Sequence, residues 1–200
     1  MKHIDHRTPW GMTESRNSGR NVARILFLFA GADVLLQGPL ATAAWVNINP
    51  PPGQVILRIN YTGKPTVTFN VTAAQMGNGT AVAGTPTLEF EMSVQRAGGT
   101  DVTATMTATA PASLASGGNQ IPISDISWTS VAIAGAPGGT TLIPNGSFVA
   151  GPQAIVSVTT NAGGNFNAGG ALTFYFANTT VYAAGTYGPA TVNYTASRNP

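Results

Sequence analysis

Beyond residue 44, apolar and polar positions alternate along most of the chain. Segment 88–95 sets Leu88, Phe90, Met92 and Val94 in one phase and Glu89, Glu91, Ser93 and Gln95 in the other. Segment 102–109 sets Val102, Ala104, Met106 and Ala108 against four threonines. Successive side chains of a strand point to opposite faces, so a period of two predicts half-buried antiparallel strands. The runs 54–61, 66–72, 121–128, 154–159, 171–177 and 190–196 fit the same template. Turn-forming clusters separate them: Gly77-Asn78-Gly79, Gly98-Gly99, Gly117-Gly118-Asn119, Pro137-Gly138-Gly139, Asn145-Gly146, Gly163-Gly164-Asn165 and Gly169-Gly170. No window keeps a helical apolar stripe for more than two turns. The pattern predicts an all-β, immunoglobulin-like antiparallel β-sandwich of about eight or nine strands.

The first 43 residues follow a different pattern. A polar stretch carrying Lys2, Arg7, Arg16, Arg20 and Arg24 leads into the apolar run Ile25 to Ala32, continued by Val34, Leu35 and Leu36. Ala41-Thr42-Ala43-Ala44 then offers small residues for a cut before Ala44 or before Trp45. This order predicts an export signal over residues 1–43 and a single sandwich domain over residues 44–200. Its basic part is long, and Met12 would give a more ordinary start. A membrane anchor is the competing reading, but Asp33 and Gln37 interrupt the apolar run short of the roughly 18 residues a span needs. Contact with a membrane is therefore expected only through the signal peptide.

Composition supports the strand assignment and narrows the chemistry. Residues 44–200 contain twelve prolines, twenty glycines and twenty-three threonines. Glycine and proline break helices, and the branched Cβ of threonine suits a pleated surface. The net charge of +2 and pI near 9.2 come from the leader. After Ala44 the only charged residues are Arg58, Lys64, Arg96, Arg198, Glu89, Glu91, Asp101 and Asp125. That is about 5% of the segment against the roughly 25% usual for globular domains, so no nucleic-acid partner is expected. The segment has no cysteine and no histidine. A Ser-His-Asp triad, a cysteine nucleophile and a zinc site of nitrogen and sulfur ligands are excluded. With no disulfide available, stability has to come from the core, and about 157 residues suffice for one.

Gly185 and Tyr187 lead into the last predicted strand and suggest a tyrosine corner, in which the ring packs at the core edge and the hydroxyl bonds back to the backbone. Pro189 stands two residues beyond Tyr187, where the immunoglobulin version has cysteine. Around these residues the chain is similar to known proteins. Ile126-Ser127-Trp128-Thr129, Ile143 to Phe148, Leu172 to Asn178, Tyr182 to Tyr187 and Thr191 to Thr195 resemble small secreted proteobacterial β-sandwich proteins of unknown function. The closing Gly-Thr-Tyr hairpin is similar to the end of spore-coat-U-type pilins of the archaic chaperone–usher class. The resemblance covers about 70 residues of the C-terminal half, and its motifs are structural. It implies a secreted sandwich and carries over no functional residue; the cysteine pair those pilins generally have is absent here.

The candidate sites are few. Glu89 and Glu91 share one strand face about 7 Å apart, a pairing that could serve glycoside hydrolysis; a solvated strand face is the expected reading. Asp101 and Asp125 are isolated carboxylates beside turns and are read as turn formers. Lys64, between Gly63 and Pro65, could serve as a base beside a serine, but its turn context predicts exposure. Trp45 and Tyr175 are candidates for stacking on sugars, since aromatic rings present flat apolar faces; Tyr61 and Tyr182 belong to the same set, while Trp128 is expected in the core. Asn-x-Ser/Thr sequons begin at Asn60, Asn70, Asn78, Asn145, Asn178 and Asn193. No metal site, cofactor or catalytic group is expected. Trp45 to Asn49, followed by the stiff spacer Pro50-Pro51-Pro52-Gly53, is read as an ordinary first strand or as a segment that adds to a neighbour's sheet edge. These features predict an exported, non-enzymatic structural or adhesive protein. Its partners would be copies of itself or other envelope or fibre subunits. The periplasm, the outer surface and the medium all stay open as destinations. The alternative is a secreted carbohydrate-binding module that uses exposed aromatics.

Overall fold

A computed structural model describes residues 44–59, 65–96, 98, 101–160 and 165–199, together with the backbone pairing of residues 23–31. These residues form fourteen strands and one 3-10 turn. In chain order the strands are β1 (Ala23–Gly31), β2 (Val55–Ile59), β3 (Thr66–Val71), β4 (Val82–Ala83), β5 (Leu88–Gln95), β6 (Thr103–Ala110) and β7 (Ser113–Ser116). They continue with β8 (Asn119–Pro122), β9 (Ile126–Val131), β10 (Thr141–Leu142), β11 (Gly146–Ser147), β12 (Gly151–Thr159), β13 (Asn165–Phe176) and β14 (Thr186–Asn199). The all-β sandwich expected from the alternation is the observed fold. The count exceeds eight or nine chiefly because β4, β7, β8, β10 and β11 are only two to four residues long, too short to show a period.

Two sheets pack face to face. The first has the order β12-β6-β14-β1-β3 and the second β11-β9-β13-β5-β2, with β4 and β10 also pairing with β13. The apolar phase of each strand supplies the core: Val67, Phe69 and Val71 from β3, Met106 from β6, and Tyr187, Val192 and Tyr194 from β14. From the other sheet come Leu88, Phe90, Met92 and Val94, with Leu172, Phe174 and Phe176. Phe90 and Tyr194 meet across the sheets with ring centroids 4.7 Å apart. Each such buried ring or branched chain stabilises the fold by about 1.5–3 kcal/mol relative to its exposed state. The hairpin β7–β8 turns at Gly117, whose φ of 57° lies where glycine is favoured, and folds Leu114 and Ile121 into the core.

Four local expectations are corrected. Gly169-Gly170, read as a turn, lies inside the twelve-residue strand β13. There the glycines permit close approach: a Cβ on Gly169 would sit 2.6 Å from the Phe90 carbonyl oxygen, and one on Gly170 would collide with Ser130 Oγ. The run 121–128 is broken by the 3-10 turn Ile123–Asp125, which begins directly after Pro122. Residues 44–53 are not a strand; they cross the outer face of the second sheet as a strap before β2 begins. In β12 the alternation slips at a bulge between Ala154 and Val156, so Ile155 and Val156 are both buried.

Candidate functional site

The strap and the strands beneath it hold the densest polar chemistry among the described residues. Glu91 pairs with Gly169 of β13 and Arg58 of β2, all in the outward phase of the second sheet. The strap closes over them. Trp45 N–H donates to the Ala134 carbonyl at 2.9 Å, and Val46 N–H donates to Glu91 Oε1 at 3.3 Å. Asn165 Nδ2 donates to Asn49 Oδ1 at 2.7 Å, and Gly53 N–H to the Gln95 carbonyl at 3.0 Å. The Trp45 ring rests over Gly169, where a Cβ would lie 2.6 Å from it.

Their burial corrects the reading of Glu89 and Glu91 as a solvated face, and for Glu91 the strap is part of the cover. Both are buried, Glu91 completely. Arg58 Nη1 donates to Glu91 Oε2 at 3.0 Å, with the arginine side chain 22% exposed and the carboxylate 0%. Burial pushes the Glu91 carboxyl above its ordinary range, and Arg58 and the Val46 amide pull it only partly back. Strap and guanidinium thus enclose the Glu91 carboxylate, which does not face water. Sequence alternation identified the outward phase correctly. It carried no information that another segment would cover it.

Beside Trp45 lies a cleft of about 240 Å³, walled by Ile133, Ala136, Pro137, Thr140 and Leu142. Tyr175 is half-exposed in the same outward phase of β13. Six residues separate it from Gly169, which is about 20 Å along a strand, so the two proposed stacking rings do not form one small platform. Trp128 is buried, with Nε1 donating to the Pro144 carbonyl at 2.9 Å and its ring 5.0 Å from that of Phe148.

At the opposite end of β13 a second cluster surrounds the corner. Tyr187 is fully buried and its hydroxyl donates to the Ala183 carbonyl at 2.8 Å, with Gly185 against Ser116. Tyr182 donates to Asp125 Oδ2 at 2.6 Å. Burial and then this bond hold its hydroxyl up at about 12. In the sequence Asn178 stands out only as the start of a sequon. It is buried at a φ of 53° and ties the 75–80 loop together: Oδ1 accepts from Gly77 N–H at 3.0 Å, and Nδ2 donates to the Gln75 carbonyl at 2.7 Å. The signal that finds it is tertiary, since its partners lie about a hundred residues away.

Asp101 is exposed and lies 3.5 Å from Arg96. Lys64, Tyr61 and Asn60 lie outside the described residues. Among the described residues no group of three or more acidic, histidine or cysteine side chains could hold a metal ion, and no helix is long and apolar enough to cross a membrane. No known protein-family model matches the chain, and no curated protein matches it.

Proposed function

We propose that this chain is an exported, non-enzymatic structural or adhesive β-sandwich of the cell envelope or surface, which assembles with copies of itself or with other envelope subunits by strand addition. One observation carries the reading. In the first sheet, β1 lies between β14 and β3, parallel to the former and antiparallel to the latter. That strand belongs to the segment read as the export signal. Without it, residues 44–200 carry a gap one strand wide between two unpaired edges, lined inside by Val67, Phe69, Val71, Tyr187, Val192 and Tyr194. Open edges over an apolar core are a template for pairing with another chain.

The strap of a second copy has the right alternation for that gap. Val46 and Ile48 share one phase, for the core. Asn47 and Asn49 share the other, matching the threonine-rich outer face that Thr66, Thr68 and Asn70 continue. Light scattering after size-exclusion chromatography tests this on residues 44–200 beside residues 54–200. Oligomers from the longer chain alone are expected; a longer chain that stays monomeric at high concentration ends the assembly reading.

The cleft beside Trp45 favours the second reading, a carbohydrate-binding module. Its volume suits one sugar ring against the indole face. A glycan array separates the two readings: binding lost in Trp45→Ala and kept in Tyr175→Ala supports the module, and no binding by the parent removes it.

A further inference from the structure

The gap between β3 and β14 is occupied, and its occupant is the chain's own leader. Seven positions of β1 pair with β14, from Arg24 opposite Thr186 to Gly31 opposite Tyr194, and six pair with β3. The register is specific. Ile25 stands opposite Phe69 and Tyr187, Phe27 opposite Val67 and Ala190, and Phe29 opposite Val192. All five of those partners are buried in the core. The positions between them, Leu26 and Leu28, stand opposite Thr68, Thr66 and Thr191 in the outward phase. β14 adapts to this neighbour through a bulge at Gly188-Pro189, where the missing proline N–H could not have continued the ladder. Among the described residues β3 joins the first sheet only through β1, and its other backbone pairing is the bridge from Thr68 to Thr85.

We propose that the gap is a strand-binding site whose first ligand is the chain's own residues 23–31, held in cis until the leader is cut off. The inference rests on the export and strand-addition reading above. Its physical basis is effective concentration. While residues 32–43 connect β1 to the strap, the strand is held near its site at a local concentration on the order of millimolar. A cut beside Ala44 leaves the same bonds but removes the tether, and the strand then stays only as far as its own affinity holds it at bulk concentration. Processing therefore converts a closed sheet into one with a vacant site, without any change in the body's own sequence. The site takes extended peptides with apolar residues at alternate positions, running parallel to β14.

The test uses the full chain with a site-specific protease sequence replacing residues 34–40. Amide hydrogen exchange is read at residues 24–31 before and after cutting, with oligomeric state by light scattering on the same samples. Slow exchange at 24–31 in the uncut monomer, lost on cutting and dilution, is expected. In the uncut chain Phe27→Asp should abolish the protection and Leu28→Asp should leave it within a fewfold, because only position 27 shares its register with core positions. A synthetic peptide of residues 23–31 added to the cut chain should restore the monomer, which guards against a Phe27 variant that misfolds. Free-peptide exchange at 24–31 in the uncut chain overturns the proposal, as does equal sensitivity of positions 27 and 28. If protection is lost on cutting but the body remains monomeric, the in-cis strand stands and the assembly reading falls. If 24–31 is unprotected and the body oligomerises regardless of cutting, the assembly reading stands and the in-cis strand falls.

Discussion

Replacing Arg58 by methionine should destabilise the fold more at neutral pH than in mild acid, and more than replacing its partner Glu91 by glutamine. The asymmetry follows from burial. Glu91 is completely enclosed under the strap while Arg58 is 22% exposed. Arg58→Met leaves a buried carboxylate with the Val46 amide as its remaining donor, and breaking a buried pair from that side costs about 3 kcal/mol. With a urea m-value of about 2 kcal/mol/M for a chain of this size, the unfolding midpoint should fall by about 1.5 M near pH 7.5. Glu91→Gln leaves a guanidinium that can turn to water and keeps an acceptor for Val46, so it should cost about 1 kcal/mol. The double variant should lie near the single glutamine variant, because the methionine then strands no charge. The pH sign is fixed by the direction of the shift. The Glu91 carboxyl is raised in the folded state by burial. Its contribution is therefore fully present below the ordinary carboxyl range and is lost as pH rises through the raised value. Arg58→Met raises it further, so the deficit should shrink towards zero near pH 4. Urea titrations followed by tryptophan fluorescence at both pH values measure this. An Arg58→Met deficit that does not change with pH, or a larger loss in Glu91→Gln, would refute the argument.

Other outcomes are expected elsewhere. Gly169→Ala forces a Cβ against both the Phe90 carbonyl and the Trp45 ring, so it should cost about 1–3 kcal/mol; Trp45→Ala in the same chain should relieve only part of that loss in a double-mutant cycle. Asn178→Ala removes several hydrogen bonds and places alanine at a φ of 53°, for a loss of about 3 kcal/mol; Asn178→Gly should recover the backbone part alone, as read by thermal unfolding. Tyr182, held at about 12 by burial and Asp125, should titrate late in an ultraviolet alkaline titration, and Asp125→Asn should move it back towards 10. Its stabilising contribution is complete below pH 10 and is lost as pH rises through about 12.

Much of the sandwich was legible in local pattern because one buried face imposes a period of two on a strand. That is why β3, β5, β6 and the second half of β13 coincide with runs read from alternation, and why Trp128 was placed in the core. The short strands were not legible, since two to four residues cannot display a period. Gly169 and Gly170 were misread for a related reason: a glycine pair signals a turn unless another backbone or ring presses on it, and only the fold brings Phe90, Ser130 and Trp45 to that spot. The candidate site divides the same way. The sequence by itself determined an all-β chain with almost no titratable chemistry after residue 44, and an apolar run preceded by basic residues before it. Only the tertiary structure decided that the strap seals Glu91 away from water. It alone also decided that strand 23–31 stands between β14 and β3. Pairing between segments so far apart depends on which edges a folded core leaves open, and no local pattern records that.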